Sequence, residues 1–192
     1  MIIGITGGTG CGKTTLLTEL QKLGAVVIDC DALYHRLLAT DPSLTAAIGA
    51  RFPGTVEEGI LQRKKLGKLV FSDPEALRDL NTITHAAIKD AVLCELSCQP
   101  SLAAIDAVAL FESGLDRLCD VTVAVTAPTG DRIARLMARD GITADYARAR
   151  ITAQPSAQWF REKCDYVLEN TGDLPTFQME CLAFFRCLGI MK

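Results

Sequence analysis

Histidine is nearly absent from this 192-residue chain: His35 and His85 are its only two, and neither lies in a metal-binding spacing. Long apolar runs are missing as well. None approaches the ~18–20 residues of a membrane-crossing helix, so no membrane partner is expected. There is no surplus of basic charge, because 20 Lys and Arg against 23 Asp and Glu leave a net charge of −3. That argues against a broad nucleic-acid-binding surface and confines any anion site to a local feature. Cysteine is not scarce, but none of the eight stands in a C-x-x-C pair. Reduced, mostly buried thiols in a cytoplasmic protein are the expectation. The N-terminal apolar run breaks at Gly7 after six residues, too short for a secretory signal. Internal repeats, low-complexity tracts and linkers are absent too. What is left, 49% hydrophobic and 22% charged, suits one compact domain with an insertion or two.

Against that plain background, Gly7-Gly8-Thr9-Gly10-Cys11-Gly12-Lys13-Thr14 fits G-x-x-x-x-G-K-[ST]. An isoleucine-rich run, Met1 to Thr6, precedes it as a short buried strand. Leu16, Leu20 and Leu23 follow at i, i+4 and i+7, an amphipathic helix. Strand, glycine-rich loop and helix together make a phosphate cradle. Glycines let backbone N–H groups converge, and the helix adds the positive end of its dipole. Lys13 can reach the β- and γ-phosphates, and the Thr14 hydroxyl can join a Mg²⁺ shell. Cys11 is expected as a small residue filling a tight loop, although a helix N-terminus can lower a thiol pKa. The loop predicts binding of a nucleoside triphosphate and nothing further.

Farther along, Ala25 to Ile28 forms a second strand with Asp29 and Asp31 at its carboxyl end, where ligands of open α/β sheets sit. Either aspartate could instead cap the helix from Ala32 to Leu38. Residues 40–98 look helical throughout, with Leu66, Leu69 and Val70 as one apolar stripe and Arg63-Lys64-Lys65 as a basic cluster. Leu102 to Ile105 is a third strand, and Asp106 closes it, the usual place for a carboxylate that holds Mg²⁺ through water. Val121 to Val125 and Tyr166 to Leu168 complete the sheet, and the helix Leu174 to Leu188 should pack on it. Five arginines fall within nineteen residues at 132, 135, 139, 148 and 150, and Arg132, Arg135 and Arg139 share one helix face. With a phosphate loop in the same chain, this segment is expected to be a mobile lid whose arginines neutralise phosphate charge.

No N-K-x-D segment follows a late strand, which excludes a regulatory GTPase, and no motor signature is visible. A small-molecule kinase remains, its acceptor left open by these features. A binding protein that kept the loop without transfer is the non-enzymatic alternative. More specific is an ordered set of motifs: TGGTGCGKTT (Thr6 to Thr15), VIDCD (Val27 to Asp31), RKKL (Arg63 to Leu66) with Phe71, and LNTITH ending at His85. LFE (Leu110 to Glu112), RLMARD (Arg135 to Asp140) with Gly141, Arg150-Ile151 with Gln154, and Asp165, Asn170 and Gly172 complete it. Along nearly its whole length the chain resembles the dephospho-CoA kinases. Val108-Ala109, Ala86 and Phe160 depart from the family's usual proline-leucine, proline and lysine at those positions.

The resemblance implies phosphorylation of the dephospho-CoA ribose 3′-hydroxyl by ATP with Mg²⁺, and a three-layer α/β/α P-loop core like that of nucleoside-monophosphate kinases. It implies a core over 1–39, 99–128 and 155–192, a helical acceptor-binding region over 40–98, and a lid over 129–154. Asp31 matches the candidate catalytic base. Lys13 and the lid residue Arg139 complete the catalytic set. Nucleotide contacts fall on Gly7, Gly10, Cys11, Gly12, Lys13, Thr14, Thr15, Arg139 and Asn170, with Asn170 in the adenine region. Thr14 and Asp106 are the metal candidates. A monomer is expected, with a homo-oligomer left open; another small acceptor, a nucleoside or nucleotide, is the alternative substrate.

Overall fold

The computed structural model describes residues 1–191. Its chain runs β1 (Ile2–Thr6), α1 (Lys13–Lys22), β2 (Val26–Asp29), α2 (Cys30–Thr40), α3 (Pro42–Arg51), β3 (Val56–Glu57) and β4 (Ile60–Leu61). It continues α4 (Arg63–Ser72), α5 (Pro74–Leu96), β5 (Ala103–Asp106), a 3₁₀ turn (Leu115–Leu118), β6 (Val121–Thr126) and α6 (Thr129–Asp140). The last elements are α7 (Ala144–Thr152), α8 (Ala157–Lys163), β7 (Tyr166–Glu169) and α9 (Leu174–Cys187). Two compact units result: Met1–Val27, Pro100–Leu110 and the described residues from Asp116 onward form one, and Ile28–Gln99 with Phe111–Leu115 the other.

The first unit carries a five-stranded sheet ordered β2-β5-β1-β6-β7. β1 pairs in parallel with β5 on one side and β6 on the other, with Ile5 opposite both Asp106 and Val123. This is the expected α/β architecture. Alternation along β1 sorts its residues between faces. Ile3 and Ile5 are fully buried in a cluster with Leu16 and Leu20 of α1 and Phe177, Cys181, Phe184 and Phe185 of α9. On the other face, a Cβ at Gly4 would come 2.8 Å from the Cys119 Sγ. Thr122 and Asp165 fasten the start of β6 to the approach of β7: the Thr122 N–H and hydroxyl donate to Asp165 Oδ2 at 2.8 and 2.7 Å. The hydroxyl in turn accepts from the Asp165 N–H at 3.0 Å. A membrane-crossing helix, one long and apolar enough, is absent among the described residues.

The second unit is mainly helical, built on Leu44, Ile48, Phe52, Leu66, Val70 and Ala76. Its helices start at strong signals. Asp41 and Asp73 cap α3 and α5, accepting from Ser43 and Glu75 N–H groups at 2.8 Å, and Pro42 and Pro74 stand just inside. Three expectations change here. Residues 40–98 are not wholly helical, because β3 and β4 form a hairpin pairing Val56 with Leu61 and Glu57 with Ile60. Its turn holds Glu58 and Gly59 at φ 50° and 78°, the conformation that matches strand twist in a two-residue loop. Leu69 leaves the apolar stripe and is 46% exposed. The third change is the boundary: Ile28 to Thr40 groups with the helical unit, since Tyr34, Leu37 and Leu38 pack on its core.

Residues 129–154 fold as the paired helices α6 and α7 around Ile133, Leu136, Ala147 and Ile151, and group with the first unit. α8 was not expected; Ser156 caps it by accepting from the Trp159 N–H at 3.2 Å.

Candidate active site

The glycine-rich loop leaves the carboxyl end of β1, the central strand, where open α/β sheets bind ligands. Two glycines are fixed by geometry. Gly7 has φ 134° and its missing Cβ would fall 2.2 Å from the Val125 carbonyl oxygen. Gly12 has φ 103° and the Cβ would fall 2.3 Å from Asn170 Nδ2. Both a left-handed backbone and neighbouring atoms forbid a side chain at these positions.

α1 begins at Lys13, with Gly12 as a cap that offers no side-chain acceptor and no acid in the first turn. The positive helix end is therefore not neutralised locally, which suits a phosphate. The Lys13 ammonium donates to the Gly7 carbonyl at 3.0 Å and so lies back along the loop. Thr14 is exposed in the first turn of α1, and Thr15 follows it half-buried. Cys11 is buried, and burial pushes its thiol pKa up despite the opposing charges of Arg132 and Lys13. It fills space and is not an activated thiol.

The loop is held from outside by four side chains of one arrangement. Arg132 Nε donates to the Thr9 carbonyl at 2.9 Å, and its Nη2 donates to Gln154 Oε1 at 3.0 Å. The same Gln154 oxygen accepts from the Thr9 N–H at 2.8 Å. Arg135 Nη1 donates to the Gly10 and Cys11 carbonyls at 3.2 and 3.4 Å, and its Nη2 to Asn170 Oδ1 at 3.2 Å. Asn170 Nδ2 donates to the Cys11 carbonyl at 2.9 Å. Asn170 is buried just past β7, and its amide meets the loop backbone through Nδ2 and Arg135 through Oδ1.

Arg139, on the same helix face in sequence, has a different environment. It donates to Asp140 through Nε at 2.7 Å and Nη2 at 3.1 Å, while Arg150 reaches Asp140 Oδ2 at 2.8 Å. These two cations hold the Asp140 carboxyl down at about 2. Arg132 and Arg135 thus form a structural pair on the loop, and Arg139 and Arg150 an exposed pair sharing one acid.

Asp106 stands at the end of β5, opposite Ile5, and the Ala107 N–H donates to the Ile5 carbonyl at 3.0 Å. Thr14 and Asp106 therefore offer one hydroxyl and one carboxylate, in a chain with no cluster of three His, Cys, Asp or Glu side chains among the described residues. Such sparse oxygen ligation fits Mg²⁺, which keeps water and phosphate oxygens for most of its shell.

In the second unit, the choice between the two aspartates resolves. β2 ends at Asp29, which caps α2 by accepting from the Ala32 N–H at 2.9 Å. Asp31 is exposed in the first turn of that helix, so the two side chains do not share an extended face. The cap is Asp29, and Asp31 has no capping duty. His85 of α5 meets the LFE segment: burial lowers its pKa, while a bond to the Glu112 backbone and the Glu112 charge oppose the shift. Phe160, at the position where the resembled family often has lysine, is buried in α8.

Sequence spacing missed the loop clamp. The i, i+3 placement of Arg132 and Arg135 marked a shared face but not which way it points, and the motifs that include Gln154 and Asn170 did not pair either with the loop backbone.

The sequence model of one family, dephospho-CoA kinase, matches residues 1–176. A dephospho-CoA kinase of Latilactobacillus sakei is 36% identical over 177 residues, 90% of this chain and 88% of that protein. The crystal structure of TT1252 from Thermus thermophilus superposes with a TM-score of 0.84 at 34% identity, covering 100% of this chain and 98% of that one. Dephospho-CoA kinase from Campylobacter jejuni shares the fold, with a TM-score of 0.67 at 24% identity over 99% of this chain and 98% of that one.

Proposed function

The chain belongs to the dephospho-CoA kinase family, and from that premise we propose that it transfers the γ-phosphoryl group of ATP to the ribose 3′-hydroxyl of dephospho-CoA. The products are ADP and CoA, and the reaction is the last step of coenzyme A biosynthesis. The match across residues 1–176, with the phosphate loop intact inside it, carries this reading.

Phosphoryl transfer asks the protein for alignment and charge, with little covalent chemistry. The N–H groups of Gly7 to Thr14 and the start of α1 cradle the triphosphate, and Lys13 turns from the Gly7 carbonyl to the β- and γ-oxygens. Asp31, exposed and not used as a cap, orients the 3′-hydroxyl and accepts its proton late in the transfer. The Thr14 hydroxyl and Asp106 would hold Mg²⁺, which would supply positive charge against that developing on the phosphate oxygens. Arg139 acts from the far end of α6, where Asp140, which also accepts from Arg150, holds it until phosphate competes for the guanidinium. Closure of that end excludes water, a rival acceptor. Since Arg132 and Arg135 fasten α6 to the loop, only the part of the hairpin beyond them serves as a lid. Asn170 holds the loop with its amide, a positioning role beside the adenine region. A monomer in a reducing cytoplasm suits a chain that completes its own loop clamp and forms no disulfide among the described residues.

The test is ADP release from Mg-ATP with dephospho-CoA, nucleosides, nucleoside monophosphates or no acceptor. Release that depends on dephospho-CoA is expected; release with nucleotides alone would replace this reading by the nucleotide kinase, and no release by a binding protein.

A further inference from the structure

Arg132 is 9% exposed, a buried guanidinium whose two hydrogen-bond acceptors are the neutral oxygens of Thr9 and Gln154. Burying a cation beside dipoles alone is costly and calls for a reason. The geometry supplies one. Thr9, Arg132 and Gln154 close a ring in which the Thr9 carbonyl accepts from Arg132 and the Thr9 N–H donates to Gln154. Both sides of one loop residue are thereby fixed in orientation. The guanidinium also lies against Gly8: a Cβ there would sit 2.2 Å from Arg132 Nη2 and 2.8 Å from its Cζ. Gly8 does not have a positive φ, so backbone conformation does not require glycine at that position. The arginine does.

We infer that Arg132, with Gln154, is a positioning residue that fixes the Thr9 backbone for the triphosphate, and that Gly8 is glycine to admit it. This rests on the loop's proposed part in the kinase reaction. It assigns the requirement for the second glycine of the loop to an arginine on α6 rather than to the nucleotide. A lysine cannot substitute, because one ammonium lacks the planar fork that meets the Thr9 carbonyl and Gln154 together.

The experiment measures the Mg-ATP dissociation constant by titration calorimetry without acceptor for Arg132→Ala, Arg132→Lys, Gly8→Ala and the Gly8→Ala/Arg132→Ala double variant. KM for each substrate and the urea midpoint are measured alongside. Each single variant should weaken ATP on the order of tenfold, the scale of one charged hydrogen bond. KM for the acceptor should not follow. The double variant should match the worse single within about twofold, since both changes break one clamp. Gln154→Ala, which adds no atom, repeats the same non-additivity test with Arg132→Ala should Gly8→Ala fail to fold. Multiplying effects, recovery of ATP affinity by Arg132→Lys, or a lowered urea midpoint with unchanged ATP affinity would each overturn the inference. The ATP titration needs no acceptor, so a protein inactive on dephospho-CoA would refute the proposed activity and leave this test intact.

Discussion

Asn170→Ala probes the loop clamp through stability as well as binding. The side chain is 6% exposed and makes two bonds, donating to the Cys11 carbonyl at 2.9 Å and accepting from Arg135 at 3.2 Å. A neutral bond contributes about 1 kcal/mol and one to a charged partner about 1.5–3 kcal/mol. Neither partner is orphaned by the truncation. The Cys11 carbonyl still accepts from Arg135 at 3.4 Å, and Arg135 still reaches the Gly10 carbonyl at 3.2 Å. The expected loss is therefore near the low end, about 2 kcal/mol, or roughly 4–8 °C in Tm for a chain of this size. Urea unfolding followed by circular dichroism, with and without Mg-ATP, reads it. The variant should also lose part of the stabilisation that ATP confers, because the loop it leaves is less well ordered. A change under about 0.5 kcal/mol, the range of inert surface substitutions, would refute the clamp. A changed preference for ATP over GTP at unchanged stability would give the side chain to the base instead.

Other outcomes follow from the same structure. Asp31→Asn should lower kcat by orders of magnitude while calorimetric ATP binding persists; near-normal turnover would remove Asp31 as the base. Lys13→Ala should damage turnover and phosphate affinity together, and normal kinetics would contradict the loop's role. Gly7→Ala, whose Cβ meets the Val125 carbonyl at 2.2 Å, should yield little folded protein, whereas Gly130→Ala, with open space around it, should be neutral or stabilising in thermal melts. Thr122 holds the Asp165 carboxyl below its ordinary value, so its contribution is present above the unfolded-state pKa and fades as pH falls through the lowered one. Urea midpoints of the wild type and Asp165→Asn should differ at pH 7, begin to draw together near pH ~4, and converge only once the pH is below the lowered value.

Much of this was legible in the residues, for identifiable reasons. Glycine spacing before Lys13 and the apolar runs of β1 and β6 are local signals, and the ordered motifs placed the family. Asp29 and Asp31 were ambiguous because strand and helix meet between them, and only the bond to Ala32 shows which one caps. The two-residue strands of the β3–β4 hairpin are too short for any periodicity, though Glu58-Gly59 marks their turn. The clamp was hidden for a different reason. Arg132, Arg135, Gln154 and Asn170 are 22 to 159 residues from their partners, or nearer ones only through the fold, and no helical spacing encodes that distance.

The central claim is phosphorylation at one hydroxyl, and the most direct measurement is the position of the new phosphate. Incubation with Mg-ATP and dephospho-CoA, followed by ¹H–³¹P correlation NMR of the product, should show the added phosphorus coupled to the ribose 3′ proton. Coupling to another position, or an unchanged dephospho-CoA spectrum with ATP intact, would contradict the account.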